Sequence, residues 1–296
     1  MIIILRRRFL LICFIAVIGL VGCTKKGGDS ISVGSKDFTE SYILAELYSL
    51  ALEKEGFVVE RKFNLGGTNV AHAAMTKGEL DIYPEYTGTC LINVLNQEPM
   101  SDPEEIFKYV SEQYKDQFEL VLLKPSEANN SQGLAISKKI SDKFGIKTIS
   151  DLQAKAENVR FASQGAFEEN SDGMPALTKT YGEFLFKSVD FFDNAIKYEL
   201  IKEDQADLIV AFTTDGQLVD PAFVLLEDDK HAWTMYNIVP IVRQDILEAN
   251  PKIEEILNSV SNALDTKIMQ ELNAEVDINK EEPEDVAYKF YEKTFQ

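Results

Sequence analysis

The chain has 296 residues, with 30 lysines and arginines against 49 aspartates and glutamates, and a formal net charge of −19. That length suits one large or two medium domains with a proper core, and 45% hydrophobic with 27% charged residues argues against wholesale disorder. The acidic balance argues against a nucleic-acid binder, which needs a basic face to displace phosphate counterions, and against a polybasic membrane-surface protein.

The first segment carries a location signal. Arg6, Arg7 and Arg8 precede an apolar run of 13 residues, Phe9 to Val21. A membrane-spanning helix needs about 20 residues, so the run reads as the core of a signal peptide. It ends in Leu20-Val21-Gly22-Cys23, which resembles a bacterial lipobox. That resemblance implies removal of residues 1–22 and acylation of Cys23. A plain secretory signal with an incidental Cys23 is the alternative. Two acyl chains give stable anchoring, so the expected location is the outer face of a membrane or the periplasm, lipid-anchored, with 23–30 as a polar tether. Loss of residues 1–22, which hold three arginines and no acid, takes the net charge to −22 over 274 residues. Cys13 leaves with the signal and Cys23 is acylated. Only Cys90 remains, and no intramolecular disulfide is expected.

The body alternates strand and helix patterns. Ile31 to Gly34 reads as a strand, and Tyr42 to Glu55 as a helix with Ile43, Leu44, Leu47, Leu50 and Ala51 on one face. Phe57 to Phe63 is β-like, Val70 to Lys77 helical, and Leu80 to Tyr83 a short strand. Further strands are expected at Gly133 to Ser137, Val159 to Ala162, Leu208 to Phe212, Phe223 to Leu226 and Ile238 to Val242. Helices are expected at Thr148 to Ala156 (Ser150 as N-cap), Met174 to Tyr181 and Asp193 to Lys202. From Asp245 the pattern is helical, over Ile246–Ala249, Ile253–Leu264, Ile268–Val276 and Val286–Phe295. Such alternation predicts βαβ units and an α/β fold. Ligands of such folds bind beyond the carboxyl ends of strands. Polar turns stand there at Ser35 to Ser41, Asn64 to Asn69, Pro84 to Thr89, Gln164 to Gly173 and Thr213 to Gly216.

Catalysis has no visible carrier. The only histidines are His72 and His231, there is no G-x-S-x-G, and no His/Cys cluster has zinc spacing. Gly66-Gly67-Thr68 lacks the lysine of a phosphate loop, and Glu227-Asp228-Asp229 lacks the EF-hand ligand pattern. No enzyme activity, cofactor or metal is expected. Tyr83, Tyr86, Tyr198 and Tyr236 stand at strand ends or helix starts. Each alone reads first as a packing residue. Electron-rich rings also hold quaternary ammonium groups, which have no N–H to donate, by cation–π attraction worth roughly 0.5–2 kcal/mol per ring.

Several motifs occur in order: Val33-Gly34-Ser35-Lys36-Asp37-Phe38-Thr39-Glu40, Asn64-Leu65-Gly66-Gly67-Thr68, and Gly78-Glu79-Leu80-Asp81-Ile82-Tyr83-Pro84-Glu85-Tyr86-Thr87-Gly88-Thr89. Thr214-Asp215-Gly216, Asp228-Asp229-Lys230 and Glu271-Leu272-Asn273 follow. Over residues 31–296 the chain resembles the glycine betaine/choline-binding proteins of osmoprotectant ABC importers. The resemblance implies a type II periplasmic-binding-protein fold: two α/β lobes with mainly parallel sheets, joined by a two-strand hinge. Lobe one would be 31–131 plus 237–296, and lobe two 132–236. The resemblance also implies an aromatic cage of Tyr86, Tyr198 and Tyr236, with Thr89 as a polar contact. A fourth cage position falls on Gln132. The stretch Phe167-Glu168-Glu169-Asn170-Ser171-Asp172-Gly173 carries Asn170 where relatives often have Arg. Gln132 and Asn170 therefore bear on the choice between choline, glycine betaine and a larger betaine read by amides. The expected partners are a small quaternary amine, an ABC permease with its ATPase, and the membrane through the lipid anchor. No nucleic acid is expected, and the chain is expected to be a monomer. The alternative is a surface lipoprotein of the same fold that serves as an enzyme or adhesin.

Overall fold

The computed structural model describes residues 30–295. The expected signal peptide, Cys23 and the tether up to residue 29 lie outside the described residues. The described residues form ten strands: β1 Ile31–Gly34, β2 Val59–Lys62, β3 Ile82–Tyr86, β4 Leu120–Leu122, β5 Gln132–Ser137, β6 Arg160–Ser163, β7 Ser188–Phe191, β8 Leu208–Phe212, β9 Phe223–Leu225 and β10 Ile238–Arg243. They form two five-stranded sheets, in the orders β2-β1-β3-β10-β4 and β7-β6-β8-β5-β9. Helices cover both sheets, giving two α/β lobes.

The sheets are mixed rather than mainly parallel. In the first, β1 runs parallel to β2 and β3, while β10 is antiparallel to β3 and β4. In the second, β6 runs parallel to β7 and β8, while β5 is antiparallel to β8 and β9. The cause is topological. Right-handed βαβ crossovers lay down the parallel strands. β10 and β5 instead enter each sheet directly from the opposite lobe and run against their neighbours.

The chain crosses between lobes twice, and the two crossings lie side by side. Asn129 and Asn237 form an antiparallel bridge. The Asn130 N–H donates to the Tyr236 carbonyl at 3.1 Å, and the Tyr236 N–H donates to Asn129 Oδ1 at 2.7 Å. Register fixes what faces the gap. Tyr86, the last residue of β3, pairs with Ile238, the first of β10. Gln132, the first residue of β5, pairs with Phe212, the last of β8.

Each lobe has its own core. In the first, the helix Thr39–Lys54 buries Ile43, Leu44, Leu47 and Leu52 against Ile82 and Val242. The tail helices Lys252–Asn262, Thr266–Asp277 and Pro283–Phe295 close over it with Leu257, Met269 and Val286. In the second, Leu134, Phe161, Leu208 and Val210 pack with Leu177 and Trp233.

Some element boundaries differ from expectation for local reasons. The helix expected from an Ser150 N-cap is capped instead by Thr148, whose hydroxyl accepts from the Asp151 N–H while Asp151 accepts from the Thr148 N–H. This reciprocal box satisfies two orphan donors, and Ser150 is free to donate to Asp229 at 2.6 Å. The helix expected from Asp193 begins as a 3-10 turn, Asn194–Ile196, because Asp193 caps the Ala195 N–H.

Candidate functional site

A cleft of about 690 Å³ opens between the lobes. Phe38, Glu40, Tyr86, Thr89 and Asn93 line it from the first lobe, with Asn273 and Asp277 from the tail helix Thr266–Asp277. Asn170, Asp172, Phe212 and Asp215 line it from the second lobe, and Asn130, Gln132 and Tyr236 from the crossings or their ends.

Local sequence explains these placements. Phe38 precedes the helix Thr39–Lys54 in extended conformation, with its ring stacked 6.3 Å from that of Tyr86. Glu40 lies in the first turn of that helix, where the macrodipole favours an anion. After Tyr86 the chain turns at once into a short helix, Thr87–Thr89, that continues as a π-turn, Cys90–Val94. A Cβ at Gly88 would stand 2.8 Å from the Tyr236 ring and 2.9 Å from the Met235 carbonyl. Only glycine lets Tyr236 settle on this turn.

Three tyrosines share one device: each hydroxyl donates to a carboxylate at 2.7 Å. The pairs are Tyr86 with Glu40, Tyr236 with Asp172, and Tyr198 with Asp215. The bond fixes the ring plane and leaves negative charge beside the ring. Burial pushes all three phenols well up, and the neighbouring carboxylates push further. The rings therefore stay neutral phenols, whose faces attract cations. Glu40 is 3% exposed and is a node. Its Oε1 also accepts from Asn130 Nδ2 at 2.8 Å, and its Oε2 from Asn273 Nδ2 at 2.8 Å. Asn273 Nδ2 in turn donates to the Thr214 carbonyl of the second lobe at 2.9 Å.

The cations near the cleft are engaged. Lys36 is buried, pairs with Glu85 and lies 4.7 Å from the Tyr86 ring centroid. Thr68 hydrogen-bonds both members of that pair, so the Asn64 to Asn69 turn supports the wall from behind without lining it. Lys197 pairs with Asp215 at 2.7 Å.

Of the residues singled out by sequence, Tyr86, Thr89, Gln132, Asn170 and Tyr236 stand on the cleft wall. Tyr198 does not. It lies buried behind Asp215, its ring edge-on to Phe223 at 5.0 Å. Two rings that sequence reasoning missed, Phe38 and Phe212, line the cleft instead. Phe38, Asp172 and Asn273 sat inside the quoted motifs and carried a usable signal. Phe212 closes an apolar strand, and so reads as core. His72 lies outside the cleft, packed against Tyr114 and Phe118, and burial lowers its pKa. Among the described residues no group of three or more His, Cys, Asp or Glu could hold a metal ion. No described helix is long and apolar enough to cross a membrane.

Asp172 is the strained member. Burial raises its pKa, against the lowering by hydrogen bonds from Tyr236 and the Thr234 N–H. The folded state thus holds this proton more tightly than the unfolded chain. Its contribution is most favourable below the ordinary aspartate range and falls as pH rises through the raised value. Asp172→Asn removes the buried charge but also one of the two acceptors that hold Tyr236 and the Thr234 N–H, so its melting temperature relative to wild type is expected to be higher at pH 7 than at pH 4. Thermal melts of the ligand-free proteins across that range test this; a difference independent of pH would refute it.

Two α/β lobes, paired crossings and a ring-lined cleft between them define a bilobal substrate-binding protein. A family model described as the substrate-binding domain of ABC-type glycine betaine transport systems matches residues 29–293, and the chain belongs to that family. A Helicobacter pylori protein named ergothioneine transport permease/ergothioneine binding protein is 33% identical over 88% of this chain. This chain spans only 47% of that relative. The glycine-betaine-binding protein of Pseudomonas aeruginosa is 32% identical over 93% of this chain and 91% of its own length. The fold is that of a crystal structure of a glycine betaine/carnitine/choline ABC transporter protein, with a TM-score of 0.85 at 24% identity over 89% of this chain and 98% of that one. The family model, the Helicobacter pylori relative and the solved structure are all described as parts of transport systems.

Proposed function

We propose that the protein is a lipid-anchored, extracytoplasmic receptor that captures a quaternary ammonium compound between its lobes and delivers it to an ABC permease. The observation that carries this is the cleft wall: Phe38, Tyr86, Phe212 and Tyr236 come from both lobes and the crossing, beside carboxylates that hold two of the hydroxyls. Such a wall suits a group that offers positive charge and methyl surface and no N–H. The lobes we take as 31–131 plus 237–296, and 132–236, hinged at the paired crossings. Ligand contacts from both sides favour the closed state, because only there do all the rings meet the ligand. The closed form then docks on the permease, and no bond is made or broken in this chain. Gln132 and Asn170 are read as amide contacts to the arm of the ligand, and Thr89 as a hydroxyl contact.

Calorimetry of the full-length chain in mild detergent against choline, glycine betaine, carnitine, proline betaine and ergothioneine tests the proposal. Binding of at least one well below millimolar is expected; none below millimolar would sink it. Tyr86→Ala or Tyr236→Ala is expected to weaken that binding by about 1–2 kcal/mol, from lost cation–π attraction and packing. Unchanged affinity in both folded variants would remove the cage. Mass spectrometry of the mature N-terminus tests acylation of Cys23, which an unmodified cysteine would refute.

A further inference from the structure

We infer that the cleft prefers a ligand of net positive charge, with a quaternary ammonium head and an uncharged hydrogen-bonding arm, over a zwitterion with a free carboxylate. This rests on the quaternary-ammonium proposal above and narrows it by charge.

Among the described residues, Glu40, Asp172 and Asp277 line the cleft and form no ion pair. Their partners are neutral donors. Glu40 receives a phenol and two amides, Asp172 a phenol and a backbone N–H, and Asp277 the Thr39 hydroxyl at 2.7 Å. Neutral donors orient a carboxylate and stabilise it, but they do not cancel its charge. The fourth wall carboxylate, Asp215, is cancelled by Lys197. Among the described residues Lys36 is the one cation on the wall, and Glu85, fully buried beside it, cancels its charge. Among the described residues no arginine lines the wall. A ligand carboxylate would thus enter a space with unbalanced negative charge and no free cation to meet it.

The groups left over for a ligand are neutral. Thr89, Asn93, Gln132, Asn170 and Ser171 all line the cleft. Among the described residues none of their side chains has a hydrogen-bond partner within the protein. They offer amide and hydroxyl donors and acceptors to an arm that carries no charge. At the dielectric of a partly wet cleft, one uncompensated carboxylate several ångströms from another weakens binding by about tenfold or more.

The test compares glycine betaine with its carboxamide, which shares the head and the shape and differs by one charge. Choline serves as a second cation of similar size. Calorimetry of the full-length chain should show the carboxamide and choline binding about tenfold tighter than glycine betaine, or better, with the gap narrowing at high salt. Asp172→Asn and Asp277→Asn should each narrow the gap at low salt; the second guards against loss of the Tyr236 contact in the first. Glycine betaine binding as tightly as its carboxamide would overturn the charge preference and leave the quaternary-ammonium proposal standing. Binding of none of the three below millimolar would overturn the charge preference, and the quaternary-ammonium proposal falls with it only if carnitine, proline betaine and ergothioneine also fail to bind.

Discussion

Glu40→Ala is expected to destabilise the protein by at least about 3 kcal/mol and to weaken ligand binding by about a hundredfold. The carboxylate satisfies three donors at once: the Tyr86 hydroxyl, Asn130 Nδ2 and Asn273 Nδ2. Hydrogen bonds to a charged acceptor contribute about 1.5–3 kcal/mol each, and a buried donor left alone costs about 1–3 kcal/mol. The loss reaches function by two routes. Tyr86 loses the bond that fixes its ring, and Asn273 loses one side of its bridge to Thr214 across the lobes. Glu40→Gln should fall between wild type and alanine. The amide keeps one acceptor oxygen and sets an NH₂ against a donor, so one bond is lost and one contact turns repulsive. Urea unfolding without ligand and calorimetry with it measure the two effects. A Glu40→Ala protein with the wild-type midpoint and affinity would show that the node holds nothing.

Much of this architecture was legible in the sequence, because periodicity reports local burial. Met174–Tyr181 and Leu208–Phe212 have the expected bounds, and most other elements lie within a few residues of theirs. The helix Pro103–Phe118 was missed although its signals are explicit. Asp102 caps the Glu104 and Glu105 N–H groups, proline occupies N1, and Ile106, Val110 and Tyr114 recur every fourth residue on the buried face. The edge strand β7 was missed for a better reason: Val189, Asp190 and Phe191 are all exposed, so no burial alternation marks it. The site was legible where its residues cluster in one turn, as at Tyr86 and Thr89. It was illegible where the partner is tertiary. Nothing in Thr39-Glu40-Ser41 announces that the glutamate will meet Asn273, which lies 233 residues away. Tyr198 shows the converse. It has the expected residue type, but its helix Lys197–Lys202 turns the ring into the second-lobe core, while Asp215 and Phe212 present the surface.

Gly216→Ala should cost about 2–4 kcal/mol of stability and lower ligand affinity about tenfold. Gly216 opens a 3-10 turn, Gly216–Val219, that presses on the tail helix Thr266–Asp277 of the other lobe. A Cβ there would stand 2.6 Å from the Ala274 nitrogen, and 2.8 Å from the Ala274 Cα and the Asn273 carbonyl carbon. All three are helix backbone atoms and have no rotamer to move into. The turn must retreat from the helix. Two hydrogen bonds across the lobes stretch with it, from Asn273 Nδ2 to the Thr214 carbonyl and from Gln270 Nε2 to the Thr213 carbonyl at 2.7 Å. Because Asn273 also holds Glu40, and Glu40 holds Tyr86, the displacement reaches the cleft wall through two hydrogen bonds. Gly67→Ala is the matched control. Gly67 has a φ of −79° and no atom within 4 Å of an added Cβ, so the same methyl should leave affinity unchanged and cost at most about 1 kcal/mol of stability, the preference for glycine over alanine at a helix N-cap. If Gly216→Ala behaved like Gly67→Ala in urea unfolding and calorimetry, close apposition of the turn and the tail helix would not govern how the lobes meet. If it lost stability and kept affinity, the contact would hold the lobes together without setting the shape of the cleft. Loss of both is what a lobe contact wired to the cage through Asn273 and Glu40 requires.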